Sequence, residues 1–295
     1  MFIRFSPNSS QKKSAHMHSD FSSIDYPYYI NTSDHYVIHG LLNAPQNVQI
    51  TDFQSKVVVL PVLQDTGLHS HLLQSQRKFF NQNGYDVLRV SFSSLNQDGR
   101  HFQDITLGHM ANDMREICAH LRGSYDNIFI AAHGLSSFAV ALSNADCDGQ
   151  SLIEPCFVPY ENFVESGYAY RRDLNMYQSL LNPMECLSTR LVESCKLFDH
   201  ASCRAMIQSM DKPSQFIWAE GGLGENMAAL YKAYLNTHAQ SVTVAGADHH
   251  FNAANSTEKA LEQSLEWFNY CGYMYMISAL SAAPDAYKLP INTVN

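Results

Sequence analysis

Lys56-Val57-Val58-Val59-Leu60-Pro61-Val62-Leu63 is an almost unbroken apolar run set between polar stretches. A strand with one wet face alternates apolar and polar residues. An unbroken run therefore predicts a strand covered on both faces, as in a parallel sheet sandwiched by helices. The text around it keeps that rhythm. A helix-like stretch over 69–80 ends near Gly84, a residue suited to closing a helix, and a strand over 85–90 follows. A helix over 107–121, a strand over 127–132, a helix over 135–145 and a strand over 151–157 come next. After an interruption the pattern resumes with a strand at 215–219, a helix at 225–234, a strand at 241–245 and a helix at 257–270. Strand, helix and strand at these spacings predict right-handed βαβ units and a mostly parallel central sheet with helices on both faces. Ahead of them, 34–40 reads as a further strand.

The organisation predicted from this pattern has four parts. Residues 1–22, rich in Ser, Lys, His and Asn, read as a flexible lead-in. Residues 23–159 and 213–280 form the α/β core. Residues 160–212 break the rhythm and read as a helical cap inserted between two strands, in which Tyr168, Tyr170, Tyr177 and Leu180 form either the apolar face of a lid or ordinary helix packing. Residues 281–295 read as a frayed tail.

The 295 residues carry 19 basic and 28 acidic side chains, a formal charge of −9. That balance argues against nucleic acid or an anionic membrane surface as partner, since both would repel it. No apolar run approaches the roughly 18–20 residues of a membrane span, so no integral membrane segment is expected. The seven cysteines show no Cys-x-x-Cys spacing, the pattern of free thiols in a reducing, cytoplasmic setting.

The most informative stretch is Asn127-Ile128-Phe129-Ile130-Ala131-Ala132-His133-Gly134-Leu135-Ser136-Ser137-Phe138-Ala139. A strand running through one tight turn into a helix forces the turn residue into strained dihedrals, and the residues two before and two after must be small. Centred on Gly134, the flanks are Ala132 and Ser136, and both fit. Centred on Ser136, the later flank is Phe138, whose bulk collides with the strand. The steric demand favours Gly134.

This stretch, the sheet before it and the later Gly246-Ala247-Asp248-His249-His250-Phe251 resemble the α/β-hydrolase superfamily over about residues 34–270. Leu60-Pro61-Val62 with Gln64-Asp65, Gly84-Tyr85-Asp86-Val87-Leu88 and the Gly134-Leu135 pair resemble the hydrolase-like proteins associated with exosortase systems. The bacterial acyl thioesterases of luciferase operons are similar more loosely. The resemblance implies a nucleophile at the turn, but here that position holds Gly134, which has no side chain to offer; Ser136 is the alternative. It implies His249 as general base, in its Gly-x-x-His-x-Phe context. It implies a carboxylate after the strand at 215–219, near Leu223, with Glu220 and Glu225 as candidates. It also implies an oxyanion hole from the backbone N–H of Leu135 and of Val62 or Leu63.

The function implied is action on, or binding of, an acyl ester or thioester, with a small acyl-type substrate or ligand as partner. The alternative is an inactive pseudo-hydrolase holding a ligand or a protein partner in the old pocket. Neither cofactor nor metal is expected. Gly221-Gly222-Leu223-Gly224 lacks the third glycine offset and the Lys-Ser/Thr of a phosphate loop, and reads as a turn. The His16/His18 and His69/His71 pairs lack a third ligand nearby.

Overall fold

The computed structural model describes residues 24–45, 55–180, 185–222, 225–253 and 255–282. The expected lead-in at 1–22 lies outside them, as does all of the expected tail except its first two residues. In chain order the strands and helices are β1 (Tyr26–Asn31), β2 (Val37–Asn43), β3 (Lys56–Val62), α1 (His71–Gln82), β4 (Asp86–Ser91), α2 (Leu107–Leu121), β5 (Asn127–His133), α3 (Leu135–Ser143) and β6 (Gly149–Ile153). A second group follows: α4 (Pro159–Glu165), β7 (Tyr168–Arg171), β8 (Met176–Ser179), β9 (Cys186–Ser188), α5 (Thr189–Cys195) and α6 (His200–Ser209). The chain then returns to the core with β10 (Ser214–Gly221), α7 (Glu225–Lys232), β11 (Ala239–Asp248) and α8 (Ser256–Ala282).

Eight strands form one sheet in the order β1-β2-β4-β3-β5-β6-β10-β11. The β1–β2 and β2–β4 pairs are antiparallel and every later pair is parallel. This is the α/β-hydrolase fold. The apolar run at β3 explains itself in the packing. Val57 and Val59 join a cluster containing Met110, Met114 and Ile117 of α2 and Phe138 of α3. Val58 and Leu60 join the opposite cluster, with Phe80 of α1 and Leu261 and Phe268 of α8. Both sets are fully or almost fully buried. A period-2 strand between two helical layers must be apolar at every position.

Three expectations need correction. The strand expected at 34–40 begins later, at Val37, and pairs with a further strand, β1, with Tyr28 opposite Gly40. The inserted segment is not wholly helical. Tyr168–Arg171, Met176–Ser179 and Cys186–Ser188 form a three-stranded antiparallel sheet, β7-β8-β9, between its helices. Tyr168-Ala169-Tyr170-Arg171 sets an aromatic ring at every second position, which fits a strand as well as a helix, and pairing across the turn at Asn175 (φ 50°) decides it. Helix α8 also runs about three turns past the expected end at 270. All seven cysteines are free. No helix among the described residues is long and apolar enough to cross a membrane.

Candidate active site

In an open parallel sheet, ligands meet the carboxyl ends of the strands. Three such ends converge here. β5 runs into α3 through Gly134, whose φ of 58° and ψ of −125° lie where side-chain-bearing residues are strained. A Cβ added there would meet no atom within 4 Å. The turn is held by β6: the Gly134 N–H donates to the Ile153 carbonyl at 2.9 Å, and the Cys156 N–H donates to the Gly134 carbonyl at 3.3 Å. The flanking residues Ala132 and Ser136 are both buried, as the small-residue requirement predicts.

The segment that braces the turn also carries a buried carboxylate. Glu154 follows β6 directly, is 2% exposed, and takes a left-handed φ of 45°. Its N–H donates to the Ile217 carbonyl at 2.8 Å. Its Oε1 accepts from the Ala219 N–H at 2.6 Å and its Oε2 lies 3.1 Å from His249 Nδ1. A buried carboxylate with both oxygens engaged fixes the imidazole's orientation and stabilises a positive charge on it.

His249 sits just beyond β11 and keeps 26% of its side chain exposed. Its own loop is tied to the turn, because His133 Nε2 donates to the His249 carbonyl at 2.9 Å. Burial, then the neighbouring His249, pushes the His133 imidazole down to about 4. His133 is thus neutral near pH 7 and acts as a latch. The rings of His133 and His249 are 5.1 Å apart, and those of His249 and His250 are 4.8 Å apart.

Gly134, Leu135, Glu154, His249 and His250 line a cavity of about 750 Å³. The remaining wall comes from Pro155 and Cys156 after β6 and from the inserted segment, including Phe163, Glu165, Tyr168, Leu180 and Glu185. Burial pushes the Cys156 thiol up to about 12, so it is a thiol rather than a thiolate at neutral pH. Among the described residues, no group of three or more His, Cys, Asp or Glu is arranged to hold a metal ion.

Of the residues picked out from sequence, Gly134, Leu135 and His249 share this cavity. Ser136 is the second residue of α3, 6% exposed, and is not among the cavity-lining residues. Val62 ends β3, where its carbonyl accepts from the Phe92 N–H at 2.9 Å, and it too is not among them. Among the described residues, no carboxylate after β10 is hydrogen-bonded to His249. Glu220 is exposed and its Oε2 accepts from the Gly246 N–H at 2.7 Å. Glu225 begins α7, and its side chain lies outside the described residues. The carboxylate on His249 comes instead from β6, two places away from β11 in the sheet. One signal pointed to it: Leu152-Ile153-Glu154-Pro155 sets a lone acid at the carboxyl end of a buried strand.

No family model matches the sequence, and no curated protein matches it. Solved structures do. The chain is similar to Est1E from Butyrivibrio proteoclasticus at 14% identity and a TM-score of 0.62, over 82% of this chain and 99% of that one. It is similar to the esterase domain of a Rhodothermus marinus protein at 14% identity and a TM-score of 0.60, over 83% and 97%. An α/β serine hydrolase without lid from Xanthomonas campestris matches at 12% identity and a TM-score of 0.53, over 82% and 94%. At these identities the likeness is one of fold.

Proposed function

We propose that this chain binds an acyl ester or thioester in the cavity beside Gly134 and cleaves it with water, using His249 and Glu154 as the base. One observation carries the reading: the His249–Glu154 pair is fully assembled, at 3.1 Å, next to a turn whose nucleophile position has no side chain. The esterases among its structural neighbours support the substrate class. The free thiols suit a cytoplasmic setting.

The space left open at Gly134 takes a water molecule where a serine hydroxyl would stand. His249 Nε2 removes a proton from that water as its oxygen attacks the acyl carbon. The imidazolium so formed is stabilised through Nδ1–H by Glu154. The Leu135 N–H, at the first position of α3 and so without a partner inside the helix, donates to the oxyanion. Collapse of the intermediate expels the alcohol or thiol, which takes its proton back from His249.

The test is turnover of a panel of short and long acyl esters and thioesters by the wild type and by His249→Ala. Wild-type turnover above background that the variant loses supports the reading, and equal rates in both proteins overturn it. A second reading, an inactive ligand-binding relative, is favoured by the absence of any side chain at Gly134. Background rates in the wild type together with activity in Gly134→Ser would establish it.

A further inference from the structure

We propose that the cavity selects a cationic ligand: an acyl compound with an apolar body and an amine or quaternary ammonium group. The carbonyl lies towards Gly134 and His249, and the cation lies among Glu165, Glu185, Phe163 and Tyr168. The inference rests on the acyl-ligand reading above and names the substrate class for that same site.

Charge is the first support. The described residues lining the cavity include the carboxylates Glu154, Glu165 and Glu185 and no Lys or Arg. Glu154 is committed to the Ala219 N–H and His249, and Glu165 and Glu185 set two further carboxylates in the cap-side wall. Residues 181–184, between the lining residues Leu180 and Glu185, read Leu-Asn-Pro-Met and bring no charge. Beside Glu165 and Glu185 a phosphate or carboxylate group on the ligand would be repelled, in a chain whose formal charge is already −9.

Ring chemistry is the second. Phe163 and Tyr168 line the same wall, their ring centroids 5.7 Å apart. The Tyr168 hydroxyl donates to Glu185 Oε2 at 3.1 Å, joining one ring to one carboxylate. Aromatic faces beside carboxylates attract an ammonium through the ring quadrupole and the formal charge together, and they satisfy it without a directional hydrogen bond. The rest of the lining, Leu135, Pro155 and Leu180, offers apolar contact to an acyl chain.

The test compares three hexanoyl esters that differ only in charge: the choline ester, its uncharged carbon isostere 3,3-dimethylbutyl hexanoate, and the hexanoyl ester of glycolate. Affinity is measured by calorimetry on the His249→Ala protein, so that no ester is consumed. The choline ester should bind about fivefold more tightly than the isostere and well over tenfold more tightly than the glycolate ester. The double variant Glu165→Gln/Glu185→Gln, built on the same protein and checked for an unaltered melt, should bring the choline-to-isostere ratio close to one. Equal binding of all three esters, a preference for the anion, or a ratio that survives the double variant overturns the proposal while leaving the acyl reading standing. Failure of all three to bind removes the acyl reading, and the cation preference falls with it.

Discussion

Gly222 presses its backbone against Glu154 so closely that a Cβ on it would fall 2.3 Å from Oε2 and 2.7 Å from Oε1. The glycine-rich turn after β10 is thus part of the acid's seat. It closes over a carboxylate that β6 supplies and β11 uses.

Replacing Gly222 with Ala should therefore damage the site from outside it. The methyl group cannot share space with a carboxylate already fixed by the Ala219 N–H and His249. Either the turn or Glu154 must shift, at about 1–3 kcal/mol. Chemical denaturation should show the loss of stability, and the His249 imidazole resonances should move even though position 249 is untouched.

Gly134→Ser should fold. Its Cβ meets no atom within 4 Å, so the cost is confined to the left-handed backbone, about 1–3 kcal/mol. A melting curve lowered by a few degrees but still cooperative is the expected result. Ala132 and Ser136 already have the small side chains the turn needs.

Glu154→Gln separates the two acid assignments. Gln keeps the size but removes the charge that stabilises a protonated His249. Any His249-dependent turnover should fall by roughly 10²–10⁴-fold. Glu220→Gln should leave that turnover at the wild-type level, because Glu220 bonds the Gly246 N–H rather than the imidazole.

His133 gives a pH signature. Its folded-state value, pushed to about 4 by burial, lies below the roughly 6.5 of an unfolded histidine. The unfolded chain therefore binds the extra proton first. Stability from this group is complete above about pH 6.5 and is lost as the pH falls towards about 4, up to roughly 3 kcal/mol. Asp113, raised to about 7 by burial, slopes the opposite way over the same range. The measurement is thus a difference: denaturation midpoints of wild type and His133→Gln from pH 4 to 7 should converge as the pH falls.

The local parts of this molecule were legible in its residues. The alternation of buried strands and helices gave the layered sheet, because a strand covered on both faces cannot tolerate polar positions. The tight turn at Gly134 was equally readable, since small flanks and a residue free to take positive φ are demands met within five residues. His249, picked out by its own short context, lines the same cavity as Gly134. The hairpin sheet of the inserted segment was not readable, because Tyr168-Ala169-Tyr170-Arg171 suits either element until Met176–Ser179 pairs with it.

The pairing of Glu154 with His249 belongs to tertiary structure. Glu154 and His249 lie 95 residues apart, and β10 stands between their strands. No spacing rule links them. They meet because the Gly134 turn is hydrogen-bonded to the end of β6, because Ala219 and Gly222 hold the carboxylate, and because His133 ties down the His249 loop. A sequence determines which segments can be strands, turns and helices through interactions over a few residues. Which carboxylate reaches which imidazole depends on the order and stagger of strand ends, and only the assembled sheet fixes those.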